Sequence, residues 1–381
     1  MSHRTCDAGR RLRFLAVVIA AVAMFFGVTR LHDSPADVLP EYAPPIVAAQ
    51  TGAPGSSAET GSFPAHPLRA QSSDETPVNF KIAFIGDQGS GAGAEAVLNL
   101  IKAEGAQAVL HQGDFDYKGD PAAWDARINR ILGLDFPYFA SLGNHDEDEW
   151  GEADGYQRYL QDRLNRLSIK WDGDLGVKSS LRYRGIFIVL VAPGVMGSGH
   201  DAYIRDRLAA DNSLWSVCSW HKNMRKMQVG RKSDATGWAV YEESRKGGAI
   251  IATAHEHSYS RTHLLGSIKD QTVASTSNTL VITKGRTFVF VSGLGGKSIR
   301  GQLRCLPSTP PYGCKGEWAS IYTSNQNANY GALFGVSGPV WLPGIVCGVT
   351  FSVVFLIAAW VFRSPELMGI GAALRRRLGR A

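Results

Sequence analysis

The chain has 381 residues, 44% hydrophobic and 19% charged, which is enough apolar material for a buried core and excludes a globally disordered polypeptide. A net charge of +6 ordinarily points to nucleic acid or an acidic membrane surface. Its distribution argues against nucleic acid: residues 1–13 carry four arginines against one aspartate, residues 363–381 carry five against one glutamate, and the body between is close to neutral.

Each basic tail abuts a charge-free apolar run. Residues 14–29 form a run of 16, short for a span and placed as a signal anchor or a signal peptide. Residues 340–362 form a run of 23, and about 20 apolar residues cross a bilayer, so 339–362 is expected to be a transmembrane helix. With both arginine clusters cytoplasmic, the sequence predicts a membrane-anchored protein whose central part is extracytoplasmic (periplasmic or extracellular). Cys305 and Cys314 bracket a Pro-rich loop and suit a small disulfide in an oxidising space. Residues 30–77 hold eight of the 17 prolines and read as a disordered linker.

From Val78 the pattern becomes that of a folded domain, expected over 78–338. Strands are predicted near 80–85, 108–110, 139–142, 185–191, 215–220, 248–252, 279–283 and 287–292. Helices are predicted at 94–104, 122–132, 156–167, 201–210 and 237–246. Alternating strands and helices followed by a late hairpin imply a layered α/β domain with mixed sheets.

Five strand ends carry oxygen or imidazole donors: Gly86-Asp87-Gln88-Gly89, Gly113-Asp114-Phe115-Asp116-Tyr117, Gly143-Asn144-His145-Asp146, His221 after Cys218-Ser219-Trp220, and Ala254-His255-Glu256-His257. Taken singly, each is weak, since strand-end aspartates and histidines are common. Seven side chains with one bridging carboxylate meet the needs of two metals holding an activated water between them. In order and spelling these segments resemble the metallophosphoesterase (calcineurin-like) superfamily and, within it, the purple acid phosphatases. Gly89 stands where most superfamily members have a histidine, and Tyr117 stands where the purple acid phosphatases have their tyrosinate.

That resemblance, covering about residues 78–334, implies an α/β (α+β) four-layer metallophosphoesterase sandwich, two mixed β-sheets flanked by helices. Added to it are the membrane-spanning helices expected at the termini. The resemblance further implies Fe(III) held by Asp87, Asp114, Tyr117 and His257, and a divalent ion (Fe, Zn or Mn) held by Asp114 as bridge, Asn144, His221 and His255. His145 is implied as the catalytic residue that protonates the leaving group. Lys222 and Arg261 are candidate phosphate contacts; a solvated lysine and an arginine bracing the histidine loop are the plain alternatives. The implied reaction is hydrolysis of phosphate monoesters by in-line attack of a metal-bound hydroxide. Alternatives are a phosphodiesterase or nucleotide pyrophosphatase on the same core, or a non-catalytic metal-binding surface module.

Two further features complete the reading. The run Asp146–Asp154 places six acids in nine residues and reads as a solvated loop that, at the mouth of a site, disfavours polyanions such as nucleic acid. Ser292–Gly296 reads as a glycine-rich tight turn. The sheet is expected to end early, after Tyr330-Gly331.

Overall fold

The computed structural model describes residues 47–50 and 76–338, all within the unit Ile46–Ala381. Its strands in chain order are β1 (Val47–Gln50), β2 (Lys81–Ile85), β3 (Ala108–His111), β4 (Tyr138–Ala140), β5 (Trp171–Asp174), β6 (Lys178–Tyr183), β7 (Ile186–Val191) and β8 (Trp215–Ser219). They continue with β9 (Ile250–Thr253), β10 (Tyr259–Thr262), β11 (Leu264–Ser267), β12 (Thr272–Ser275), β13 (Thr279–Ile282), β14 (Val289–Ser292), β15 (Trp318–Tyr322) and β16 (Leu333–Val336). The helices are α1 (Ala92–Ala103), α2 (Pro121–Ile131), α3 (Tyr156–Arg166), α4 (His200–Ala209) and α5 (Ala239–Gly247).

Two mixed sheets face each other. The smaller has the order β16-β2-β3-β4, with β2, β3 and β4 parallel and β16 antiparallel at the edge; the larger runs β15-β10-β14-β9-β8-β7-β6-β5, parallel from β7 through β14. The β7 sequence IFIVLV has no polar residue and is buried throughout. Its Ile186, Ile188 and Leu190 join the core between the sheets, while Phe187, Val189 and Val191 join a second core with Ile204 and Leu208 of α4 and Val240 and Tyr241 of α5. A two-residue side-chain period therefore makes β7 a central strand with layers on both faces. On the other side, Val97, Leu98 and Ile101 of α1 and Trp124 and Ile128 of α2 cover the smaller sheet. An edge-on contact of Phe84 with Phe290, 5.2 Å between ring centroids, joins the two sheets.

Local signals start the helices where the site needs loops. Asp120 accepts the Ala123 N–H at 2.9 Å and Pro121 occupies the first turn, which opens α2 just after the Asp114–Tyr117 segment.

Three expectations are corrected. The late hairpin does not form: β13 and β14 are joined near their turn only by the Thr283–Arg286 bridge, β13 pairs in parallel with β1, and β14 inserts between β9 and β10. The burial patterns explain this, since β14 is buried at every position and must lie inside a sheet, whereas β13 alternates exposed and buried. The smaller sheet does not end at Tyr330-Gly331, because β16 pairs with β2 from Leu333↔Phe84 to Val336↔Lys81. Val47–Gln50, within the segment expected to be a linker, is a strand.

The membrane expectation is also corrected. Among the described residues no helix is long and apolar enough to cross a membrane. The longest, α1, has 12 residues, about 18 Å at 1.5 Å per residue against about 30 Å of hydrocarbon, and only one of its faces is buried. The fold therefore includes no membrane-spanning helix among the described residues. No described helix supports the expected anchoring at a membrane or the extracytoplasmic placement derived from it. Residues 1–13, 14–29, 339–362 and 363–381 lie outside the described residues. Cys305 and Cys314 form the disulfide read from their spacing.

Candidate metal centre

The carboxyl ends of the parallel strands of both sheets point to one place, where open α/β sheets build their sites. Asp87 follows β2, Asp114 and Tyr117 follow β3, Asn144 and His145 follow β4, His221 follows β8, and His255 and His257 follow β9. Four of these residues, Asp87 (φ 56°), Asp114 (φ 61°), Tyr117 (φ 58°) and His255 (φ 68°), hold left-handed backbone without being glycine. Each such residue costs about 1–2 kcal/mol. Concentration of this strain on donor side chains marks a functional cluster.

The donors fall into two groups. In the first, the Tyr117 hydroxyl donates to Asp87 Oδ1 at 2.8 Å, and His257 Nε2 lies 3.2 Å from the Tyr117 oxygen and 3.3 Å from Asp87 Oδ1. In the second, His221 Nε2 lies 3.2 Å from Asp114 Oδ2 and 3.0 Å from His255 Nδ1. Asp114, His221 and His255 all present donor atoms within 4.8 Å of one another. Asp114 links the groups: it shares the loop after β3 with Tyr117, and its negative charge, after burial and Asp87, helps push that phenol up. Two buried atoms here have no hydrogen-bond partner, Asp87 Oδ2 and Asn144 Oδ1. Buried oxygens are rarely left unpaired, so orphaned acceptors beside two clustered donor groups fit cations. Cys305, Cys314 and Glu317 also lie close together, but the two sulfurs are already joined to each other.

The electrostatics favour the same reading. Burial, followed by the His221 charge, pushes the His255 imidazole down to about 2, which keeps it neutral with a lone pair available. Burial opposes the His221 cation, but Asp114 outweighs it and lifts the imidazole to about 9. Burial likewise opposes the Asp114 charge, and His221 outweighs it to hold that carboxyl well below the usual range. For Tyr117, burial and the negative Asp87 and Asp114 push the phenol far above its ordinary value. The upward shifts of His221 and Tyr117 reflect the negative charge of Asp87 and Asp114, which bound cations would neutralise.

The remaining sequence candidates separate. His145 is exposed, its ring lies 4.6 Å from that of Tyr117, and its N–H donates to Asp114 Oδ1 at 2.9 Å. Lys222 Nζ donates to the Gly194 carbonyl at 2.9 Å, and its charge reaches His255. Arg261 lies on β10 and donates to the Thr262 carbonyl at 3.3 Å, as a brace of that strand. Ala254, where the family pattern has glycine, is accommodated because Gly86 faces it; a Cβ at residue 86 would be 2.3 Å from that of Ala254.

Several contributors were missed in the sequence. Asp146 is not part of a solvated loop: it is fully buried and accepts the N–H groups of Gly143, Asp114 and Phe115 at 2.8–2.9 Å. Burial and the Asp114 charge push it up to about 8 against those bonds. The Gln112 carbonyl lies 2.8 Å from His221 Nδ1, and Lys297 Nζ lies 4.4 Å from the Tyr117 ring centre. No sequence signal marks Gln112, whereas Asp146 was available as the residue that ends the Gly143-Asn144-His145 segment.

Residues 80–259 match the family described as Calcineurin-like phosphoesterase. Among solved structures, the chain is similar to a purple acid phosphatase from yellow lupin (Lupinus luteus) seeds, with 15% identity, 70% of this chain and 55% of that one covered, and a TM-score of 0.48. PhoD gives 13% identity, 58% and 57% coverage and a TM-score of 0.39. GAP50, the anchor in the inner membrane complex of Plasmodium, gives 12% identity, 68% and 81% coverage and a TM-score of 0.40. The chain thus spans little more than half of the first two structures. No curated protein matches it. With this family match and metal-type donors at its strand ends, the segment 80–259 belongs to the calcineurin-like phosphoesterase superfamily.

Proposed function

We propose that the chain is a binuclear metal-dependent phosphatase of the acid-phosphatase type, acting on phosphate monoesters by in-line displacement. The observation that carries the reading is the pair of donor groups, Asp87–Tyr117–His257 and Asp114–His221–His255, joined by the loop after β3 that carries both Asp114 and Tyr117. Asn144 completes the second group with a neutral amide oxygen. A phenol and two carboxylates suit a hard ferric ion, and two imidazoles with an amide suit divalent Fe, Zn or Mn. When bound, a close pair of such cations supplies an activated water and neutralises the charge that develops on a phosphoryl group.

The chain's own residues then have distinct tasks. Asp114 fixes the turn carrying His145 by accepting its N–H. His145, exposed beside Tyr117, is placed to give a proton to the departing alcohol oxygen. Lys222 adds positive charge on the His255 side, where a phosphate oxygen would rest. Glu147, Asp148, Glu152 and Asp154 are exposed just beyond His145 and oppose extended polyanions.

Side-by-side rates on an aryl phosphate, a bis-aryl phosphate diester and a single-stranded oligonucleotide test this reading. Preference for the monoester is expected. Faster cleavage of the diester or the oligonucleotide would move the assignment to a phosphodiesterase.

A further inference from the structure

Ser292–Gly296 reads in sequence as a tight turn, yet in the fold that turn and the residues after it, to Arg300, grip both sides of the first donor group. Gly295 N–H donates to Gly86 O and Lys297 N–H to Asp87 O, each at 3.0 Å, and Arg300 N–H donates to His257 O at 2.8 Å. Arg300 Nη1 donates to His255 O at 3.1 Å and lies 3.7 Å from the Glu256 carboxylate. A Cβ at residue 293 would stand 2.6 Å from Asp87 Oδ2 and 2.3 Å from Glu256 O, so this close approach requires Gly293. These contacts engage main chain or carboxylates. One contact reaches an imidazole directly: Ser298 Oγ lies 2.5 Å from His257 Nδ1.

The opposite nitrogen of that ring faces the donor group. His257 Nε2 lies 3.3 Å from Asp87 Oδ1 and 3.2 Å from the Tyr117 oxygen. A neutral imidazole offers a metal the lone pair of one nitrogen only when the other carries the proton, and the partner of that other nitrogen selects the tautomer. We propose that Ser298 is a positioning residue of the centre: its hydroxyl oxygen accepts the Nδ1–H of His257 and holds the ring with the Nε2 lone pair directed at Asp87 and Tyr117. Ser298 touches neither substrate nor cation; it acts through His257. The inference rests on the metal-centre reading and adds to it an outer residue that sets its affinity.

The test uses the full chain and zinc ion alone, with affinities read by competition against a chromophoric chelator. Ser298→Thr keeps the hydroxyl, and Ser298→Val is its isostere without one, so the pair isolates the hydrogen bond from side-chain volume. The valine variant is expected to bind zinc at the Asp87–Tyr117–His257 group about ten- to a hundredfold less tightly than wild type. The threonine variant is expected to stay within about threefold of wild type, on the same scale. Unfolding midpoints of the two metal-free variants should coincide. Equal zinc affinity of the threonine and valine variants would overturn the role of Ser298. A wild-type chain that binds no zinc would overturn the metal-centre reading beneath it, which is a separate result.

Discussion

The backbone N–H of Asp114 donates to Asp146 Oδ2 at 2.8 Å, so a buried carboxylate 32 residues away sets the left-handed turn that carries the central donor of the site. Asp146 accepts from Phe115 and Gly143 as well, tying the loops after β3 and β4 into one unit.

Asp146→Ala leaves three N–H groups buried without an acceptor. Each such loss costs roughly 1–3 kcal/mol, and a fall of about 3–5 kcal/mol in unfolding free energy is expected. Urea denaturation of the metal-free variant measures it. A change below about 1 kcal/mol would remove Asp146 from this role.

His145 is exposed, its ring tilted 43° to that of Tyr117 with centroids 4.6 Å apart. With His145→Gln, kcat on an alkyl phosphate, whose leaving oxygen needs a proton, should fall about 10²–10⁴-fold. The loss should be much smaller on a p-nitrophenyl ester, and metal content should be unchanged. Parallel losses on both substrates would deny it the acid role.

Tyr117→Phe removes the hydroxyl that bonds Asp87 and approaches His257. The ferric ion proposed for that group would give wild type a visible charge-transfer band, and the variant should lose it while keeping metal in the Asp114–His221–His255 group. Absorption spectra with metal analysis decide. A band that survives in the variant contradicts the placement of Tyr117.

His111, fully buried on β3, is held at about 3 by burial and then by the His221 charge, with Asp114 opposing. Its folded-state value is below the ordinary 6.5, so the unfolded chain binds the proton more readily. The neutral ring's contribution to stability is complete above about pH 6.5 and is lost as pH falls toward about 3. In His111→Asn, Oδ1 replaces Nδ1 as acceptor for the Gly113 N–H, now at 3.0 Å, and the titration disappears. Urea midpoints between about pH 6 and pH 4 should therefore fall less steeply in the variant than in wild type.

The strands that end in donors were legible because each is a short buried run stopped by Gly-Asp, Gly-Asn or a histidine, a pattern that joins secondary structure to chemistry. The edge strands were not. β5 (WDGD) and β12 (TVAS) are largely polar or exposed, and their pairing is decided by neighbours rather than by their own periodicity. Acidic composition hid Asp146, since the other five acids of its run are not buried and only the loop geometry singles it out. Ser298 and Lys297 were invisible for a related reason: they act from a turn on a distant element, and contacts at that separation leave no local pattern. The apolar runs near the termini were read from hydropathy alone and lie outside the described residues.

Metal analysis of the purified chain, combined with an aryl phosphate assay on the same sample, tests the central claim most directly. Two ions per chain are expected, with hydrolysis lost on chelation and restored by adding metal back. A chain with no tightly bound metal and no hydrolysis would contradict the assignment of Asp87, Asp114, Tyr117, Asn144, His221, His255 and His257 as a binuclear centre.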